Sequence, residues 1–224
     1  GSFDNCTIET LSLDITSFDC SDRGMNTVTL TATDSSGNSS SANATVMVMD
    51  TLNPTVQTQN ATVYLDANGQ ASITTSDINN GSFDNCTIET LNLDITSFDC
   101  SDRGMNTVTL TATDSSGNNS SATATVMVMD TLNPTVQTQN ATVYLDANGQ
   151  ASITTSDIDN GSFDNCTIET LSLDITSFDC SDRGMNTVTL TATDSSGNSS
   201  SAMATVMVMD TLNPTVQTQN ATVY

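Results

Sequence analysis

The sequence predicts an all-β chain of tandem Ig-like antiparallel β-sandwich modules strung into an elongated rod. Three observations carry this. The chain repeats itself almost perfectly, its apolar residues alternate with polar ones in short runs, and turn clusters separate those runs. Gly1-Ser2-Phe3-Asp4-Asn5-Cys6 recurs at Gly81 to Cys86 and at Gly161 to Cys166, a period of 80 residues. Only a few shared positions differ, among them Ser12 against Asn92, Asn43 against Thr123 and Met203, and Asn79 against Asp159. A period of 80 exceeds the roughly 20–50 residues of solenoid repeats and suits a whole small domain. The copies therefore read as beads, each with its own core.

Within a copy, Thr27-Val28-Thr29-Leu30-Thr31-Ala32-Thr33 alternates strictly, which fits a half-buried strand with Val28, Leu30 and Ala32 inward. Asp34-Ser35-Ser36-Gly37-Asn38 is a turn cluster. Ala44, Val46 and Val48 are the inward set of the return strand, which leaves Met47 and Met49 outward. A second hairpin is expected from Thr62 to Leu65 and Gln70 to Thr74, closed by Asp66-Ala67-Asn68-Gly69, because Asn-Gly between alternating runs favours a tight turn. Leu91, Leu93 and Ile95 mark a further inward-facing strand, and Thr55 to Gln59 an opening one. Six or seven short strands per copy make a sandwich. The chain has no Trp, so the antibody hallmarks are missing.

The seams are expected at Asp50-Thr51-Leu52-Asn53-Pro54 and its equivalents, where Pro stiffens a very short linker. Full modules then run 51–130 and 131–210. Residues 1–50 are the back part of a truncated copy, and 211–224 the opening strands of another. The chain reads as a window on a longer array.

Composition excludes several functions. There are 26 acidic residues against 3 Arg, with no Lys and no His, for a net charge of −23. Nucleic-acid binding needs Lys and Arg to neutralise phosphate, and anionic membranes are disfavoured for the same reason. No apolar stretch approaches the ~20 residues needed to span a bilayer. No His or Lys is available for acid–base work and no Ser or Cys has a neighbouring base, so the chain is not expected to be an enzyme.

Each copy carries two cysteines 14 residues apart: Cys6 and Cys20, Cys86 and Cys100, Cys166 and Cys180. The reading is a local disulfide within each copy, formed in an oxidising, extracellular setting. Free thiols or a metal-binding pair are the alternatives. Zinc would want four ligands, and no His can contribute.

Acidic loops are the candidate sites. Ca²⁺ takes six to eight oxygens from carboxylates, amides and backbone. Asp77 to Asn85 packs many such oxygens together, with Asp77 and Asp84 its carboxylates. Asp157, Asp159 and Asp164 repeat it in the next copy with one carboxylate more. The seams add Asp50 and Asp130, with Asp210 in the same position. A cation there would stiffen the linker. The alternative is a solvated acidic turn, and Asp34 to Asn38 is read as a turn first. Arg23, Arg103 and Arg183 are expected to pair with Asp19 or Asp22 and their equivalents.

The set Gly81-Ser82-Phe83-Asp84-Asn85-Cys86, Phe98-Asp99-Cys100, Asn106 to Asp114, Gly117-Asn118, Ala124 to Val126, Asp130 and Pro134 resembles hyalin-type (HYR) repeats. More narrowly, with Leu65 to Ile73, it is similar to the tandem copies in giant surface proteins of gliding Bacteroidota. The resemblance covers every residue of both full modules. It implies an Ig-like fold, a cell-surface location and a part in adhesion, motility or filament formation, and no catalytic residues. Asp50-Thr51-Leu52 also resembles the O-glycosylation motif of those bacteria, which would place sugars on Thr51, Thr131 and Thr211.

The expected function is a structural or adhesive spacer in a long bacterial surface adhesin or filament. Its partners are neighbouring repeats, identical chains in a fibre, and an external surface or glycan met by other regions. The alternative is a Ca²⁺-dependent glycan- or ligand-binding module, which would want an exposed aromatic platform.

Overall fold

A computed structural model describes residues 1–223. The first copy supplies β1 (Ile8–Leu13), β2 (Gly24–Asp34) and β3 (Ser39–Val48). The middle copy supplies β4 (Ala61–Tyr64), β5 (Gln70–Ser72), the one-turn helix α1 (Thr75–Ile78), β6 (Ile88–Leu93), β7 (Ser97–Asp99), β8 (Gly104–Asp114) and β9 (Asn119–Met129). The last copy repeats these as β10 (Ala141–Tyr144), β11 (Gln150–Ser152), α2 (Thr155–Ile158), β12 (Ile168–Leu173), β13 (Ser177–Asp179), β14 (Gly184–Asp194) and β15 (Ser199–Met209). Single 3₁₀ turns lie at Cys20–Asp22, Cys100–Asp102 and Cys180–Asp182. Among the described residues no helix is long and apolar enough to cross a membrane.

The last copy shows the architecture in full. A four-stranded sheet runs β10-β15-β14-β12, and a two-stranded sheet pairs β11 with β13. The long hairpin β14–β15 is antiparallel, with Val188 opposite Ala204 and Leu190 opposite Ala202. β10 joins its edge in parallel, Val143 opposite Val208. Alternation turns Val188, Leu190, Ala192, Ala204, Val206 and Val208 to the buried face. All of these but Ala192 cluster with Phe178 of the small sheet, Ile158 of α2, and Leu145 and Ile153 at the ends of the intervening turn, so the core lies between two sheets. The same strand orders recur as β4-β9-β8-β6 and β5-β7. The expected all-β sandwich is the observed fold.

The first copy has only the sheet β1-β2-β3. It lacks equivalents of β4 and β5, and its inner face is correspondingly open. Leu30 is half-buried where Leu110 and Leu190 are fully buried, although the three strands have one sequence.

Several expectations need correction. Asp66 to Gly69 does form a tight turn, with the Gln70 carbonyl accepting from Asp66 N at 2.9 Å and Gly69 at φ +72°. It closes no hairpin, because β4 and β5 belong to different sheets. Leu65 and Ile73 flank the turn and are both buried, so burial drives the chain from one sheet to the other. The strand expected through Ile95 ends at Leu93 and leaves Ile95 exposed. Thr55 to Gln59 forms only isolated bridges, Thr55 to Phe83 and Thr58 to Asn79. Met47 and Met49 are exposed as expected. Arg23 meets no carboxylate: it donates to the Ser115 hydroxyl, while Arg183 Nε donates to the Cys180 carbonyl at 3.0 Å. Asp19 and Asp22 are engaged instead in capping the 3₁₀ turn.

The chain forms two compact units. The first comprises Gly1–Ala61, Thr74–Ile95 and Thr107–Thr125. The second comprises Thr62–Ile73, Thr96–Asn106 and Val126–Tyr224. The first unit contains the expected seam Asp50 to Pro54, and the second contains those at Asp130 to Pro134 and Asp210 to Pro214. Pro54 and Pro134 are buried and Pro214 is exposed.

Candidate metal centre at the repeat seam

In the first unit three carboxylates converge on the seam. Asp50 follows β3, Asp84 sits in the loop before β6, and Asp114 is the last residue of β8. One oxygen from each lies within 4.8 Å of the others. Asp130, Asp164 and Asp194 reproduce the cluster in the second unit.

Local structure holds each group. In the strand Val108, Leu110, Ala112, Asp114 every second residue faces inward, so Asp114 is carried into the interior with the apolar set and is fully buried. There it closes the turn into β9. Its Oδ1 accepts from Ser116 N and Asn118 N, both at 2.8 Å, and its Oδ2 from Asn118 Nδ2 at 2.8 Å. Gly117, at φ +92°, permits the turn. Burial pushes the Asp114 carboxyl upward. The Asn118 side chain and the backbone amides of Ser116 and Asn118 outweigh that and hold it below the ordinary carboxylate range.

Asp50 Oδ1 accepts from Leu52 N at 3.2 Å and from Asn85 Nδ2 at 3.3 Å, and Asn118 Nδ2 reaches the Asp50 carbonyl at 3.2 Å. Asp84 Oδ2 accepts from Cys86 N at 3.0 Å. In the second unit Asn165 Nδ2 bridges Asp130 Oδ1 at 3.2 Å and the Asp66 carbonyl at 3.3 Å, and Ser196 Oγ donates to Asp130 Oδ2 at 3.3 Å. One copy thus supplies the carboxylate after its last strand, and the next copy supplies two carboxylates and the amides that brace them.

The seam is also crossed covalently. Cys20 bonds Cys86 and Cys100 bonds Cys166, each with a sequence separation of 66 and with Cα atoms 5.6 and 5.5 Å apart. Four of the six cysteines are oxidised, and their pairing differs from the expected local one. Cys86 precedes a strand of the large sheet and Cys100 follows a strand of the small one, and they fall in different compact units. Cys20 and Cys86 share a unit at a Cα separation that a disulfide spans. Cys6 and Cys180 are left as free, exposed thiols. By chain entropy a 66-residue loop is worth about 4 kcal/mol, against about 3 for the 14-residue loop. Each bond ends beside the acidic loop, since the Cys86 amide is the one that holds Asp84.

Gly69 permits this approach. A Cβ there would stand 2.6 Å from Cys100 Sγ and 2.7 Å from the Asn165 carbonyl oxygen. At Gly149 the only neighbour so close is the free Cys180 Sγ, at 2.6 Å.

The arrangement suits a hard cation. Two like unit charges 4.8 Å apart repel by about 3.5 kcal/mol at an effective dielectric of 20. Asp50 Oδ2, Asp84 Oδ1, Asp164 Oδ1 and Asn165 Oδ1 are buried and accept no hydrogen bond. Buried polar atoms are normally satisfied, and an oxygen-only set of carboxylates and amides matches Ca²⁺ chemistry.

Of the expected ligands, Asp50 and Asp84 are brought together in the first unit, and Asp130 and Asp164 in the second. The other expected ligands are not. Asp77 and Asp157 close capping boxes on α1 and α2, accepting from Thr74 N and Thr154 N at 2.7 Å. The Thr74 hydroxyl and amide lower the Asp77 pKa, and the Thr154 amide and hydroxyl lower that of Asp157. Asp159 accepts from the Ser162 hydroxyl at 2.5 Å and from its amide at 3.0 Å, which lowers its pKa. Asp210 is exposed. Asp114 and Asp194 were not among the expected ligands, although strand parity from Val108 and Val188 points both inward. Thr51, Thr131 and Thr211 are exposed, each directly after a seam aspartate.

An open groove beside β5 and β7 is walled by Asp66, Gln70, Asp99 and Asp102. Its one aromatic residue, Phe98, is buried beneath it, so it offers no platform for a sugar ring.

No family model matches the chain and no curated protein matches it. Solved structures similar to it include protocadherin gamma B7 extracellular cadherin domains 1–4, at 14% identity and a TM-score of 0.37 over 85% of this chain and 59% of that one. Mouse cadherin-23 EC22–24 matches at 16% identity and a TM-score of 0.38, covering 87% of this chain and 78% of that one. Human mucin-like protocadherin EC1–2 matches at 11% identity and a TM-score of 0.36, covering 70% and 98%. The chain spans about three fifths of the length of the first protocadherin fragments it matches, 59% in each. At these scores no functional conclusion is drawn from the likeness.

Proposed function

We propose that this chain is a run of extracellular structural and adhesive spacer repeats whose seams are stiffened by a divalent cation, Ca²⁺ by its ligand chemistry. The observation that carries the reading is the recurrence of one three-carboxylate cluster at the Asp50 and Asp130 seams, with buried oxygens left unpartnered in each. Asp50, Asp84 and Asp114 hold one cation and Asp130, Asp164 and Asp194 the other. The cation removes the repulsion among carboxylates contributed by two successive copies, and so ties those copies together.

Two further features support an external setting: the disulfides and a net charge of −23, which keeps a long polyanion soluble. The resemblance to hyalin-type repeats supports a bacterial surface adhesin or gliding filament, and with it sugars on the exposed Thr51, Thr131 and Thr211.

Calcium titration of metal-free protein by calorimetry tests the reading. Two sites per chain are expected, and Asp84→Asn with Asp164→Asn should abolish both. Absence of heat, together with absence of bound calcium after dialysis, refutes it.

A further inference from the structure

We propose that the disulfides form a covalent load path that takes the long hairpins of the first two copies out of the line of tension. The inference rests on bond connectivity alone and stands whether or not the seams bind a cation. Tension entering at Gly1 reaches Cys20 and crosses the disulfide directly to Cys86. It then runs along residues 86–100 and crosses again from Cys100 to Cys166. Residues between the partners of each bond lie on closed loops and carry no end-to-end load once the chain is taut. The first loop contains β2, β3, β4, β5 and α1. The second contains β8, β9, β10, β11 and α2. The long hairpins β2–β3 and β8–β9 and the seam residues Asp50 and Asp130 are off the path, whereas β14–β15, beyond Cys166, stays on it.

The lengths follow from the chain's reach. Two separations of 66 residues withhold 132 residues together, about 450 Å of extended chain at 3.3–3.6 Å per residue. Between the two bonds only 14 residues bear load, about 50 Å when taut. An 80-residue copy without the bypass could lengthen to about 270 Å. Local pairing within each copy would give a different result. It would withhold only three 14-residue loops, about 140 Å in all, and would leave every long hairpin in the line of force. Cross-seam pairing therefore gives the stretch from Cys20 to Cys166 a fixed maximum length, set by covalent bonds rather than by the stability of the long hairpins.

Single-molecule stretching tests this. The oxidised chain is held by peptide tags at its two termini, with free thiols capped by iodoacetamide and no reductant present. The expected taut length for the native sequence is about 310 Å. Cys100→Ser should lengthen it to about 530 Å, and Cys20→Ser with Cys100→Ser to about 760 Å. A native chain reaching about 620 Å, the value for local pairing, or about 760 Å, the value for no pairing, overturns the proposal. The native measurement decides the matter even where a variant misfolds. The capping step gives a second readout: two alkylated thiols, Cys6 and Cys180, are expected, and none or six contradict it.

Discussion

Replacing Gly69 and Gly149 by alanine, one at a time, separates backbone strain from seam packing. The two glycines have the same sequence surroundings, the same unit and nearly the same backbone, with φ +72° and +74°. An alanine at either position pays the left-handed penalty of about 1–2 kcal/mol. At Gly149 the added methyl meets only the free Cys180 sulfur, whose side chain can rotate away. At Gly69 it meets the sulfur of the Cys100–Cys166 bond and a backbone carbonyl of the next copy, at 2.6 and 2.7 Å. Neither can turn aside without moving the seam. Overpacking of that kind costs a further 1–3 kcal/mol, roughly. Gly69→Ala should therefore lose about 1–3 kcal/mol more than Gly149→Ala. Urea unfolding followed by far-UV circular dichroism measures both. Hydrogen exchange at the Asn165 and Cys166 amides should show the excess loss to be local to the seam. Equal losses for the two variants would mean that the copies do not approach there, and the cross-seam geometry would fall with them.

Two other outcomes follow from burial and charge. Leu190→Ala empties a fully buried site and should cost about 3–5 kcal/mol. The same substitution at Leu30, half-buried in a sheet of three strands, should cost clearly less by hydrogen exchange of the flanking strand; equal costs would contradict the open face of the first copy. Asp14, Asp94 and Asp174 accept backbone bonds from Thr29, Thr109 and Thr189 at 2.7 Å, which hold their pKa values below 3.8. A carboxylate with a depressed folded pKa stabilises the fold above its unfolded value and loses that contribution as pH falls through the folded one. Metal-free protein should thus keep a flat stability from pH 7 to about 4 and lose it below, and a steep loss between pH 7 and 5 would contradict this.

The strands were legible because parity is a local signal. Val28-Leu30-Ala32 and Ala44-Val46-Val48 needed only alternation to be placed inward. The same parity runs on to Asp114 and Asp194, so the buried carboxylates could have been read too, had turn chemistry not offered a sufficient reason for an aspartate there. Asp77 and Asp157 went the other way: Thr-Thr-Ser-Asp before a buried Ile is a capping box from its first Thr to its Asp, and a single helical turn is too short for periodicity to show. The turn at Asn68-Gly69 was legible, but its partner strands were not, because sheet assignment depends on where Leu65 and Ile73 find burial. Cysteine pairing was the least legible feature. Spacing along the chain favours Cys86 with Cys100, while the choice of Cys20 is made by the approach of one copy to the next, and no segment of one copy encodes that approach by itself.

The central claim is that successive copies are tied into a stiff spacer by cations at their seams. Small-angle scattering of one preparation with Ca²⁺ and then with chelator tests it most directly. An elongated particle is expected in both conditions, with a larger maximum dimension and a stiffer profile when Ca²⁺ is present. A compact globule in both, or profiles that superimpose with and without the cation, would contradict it.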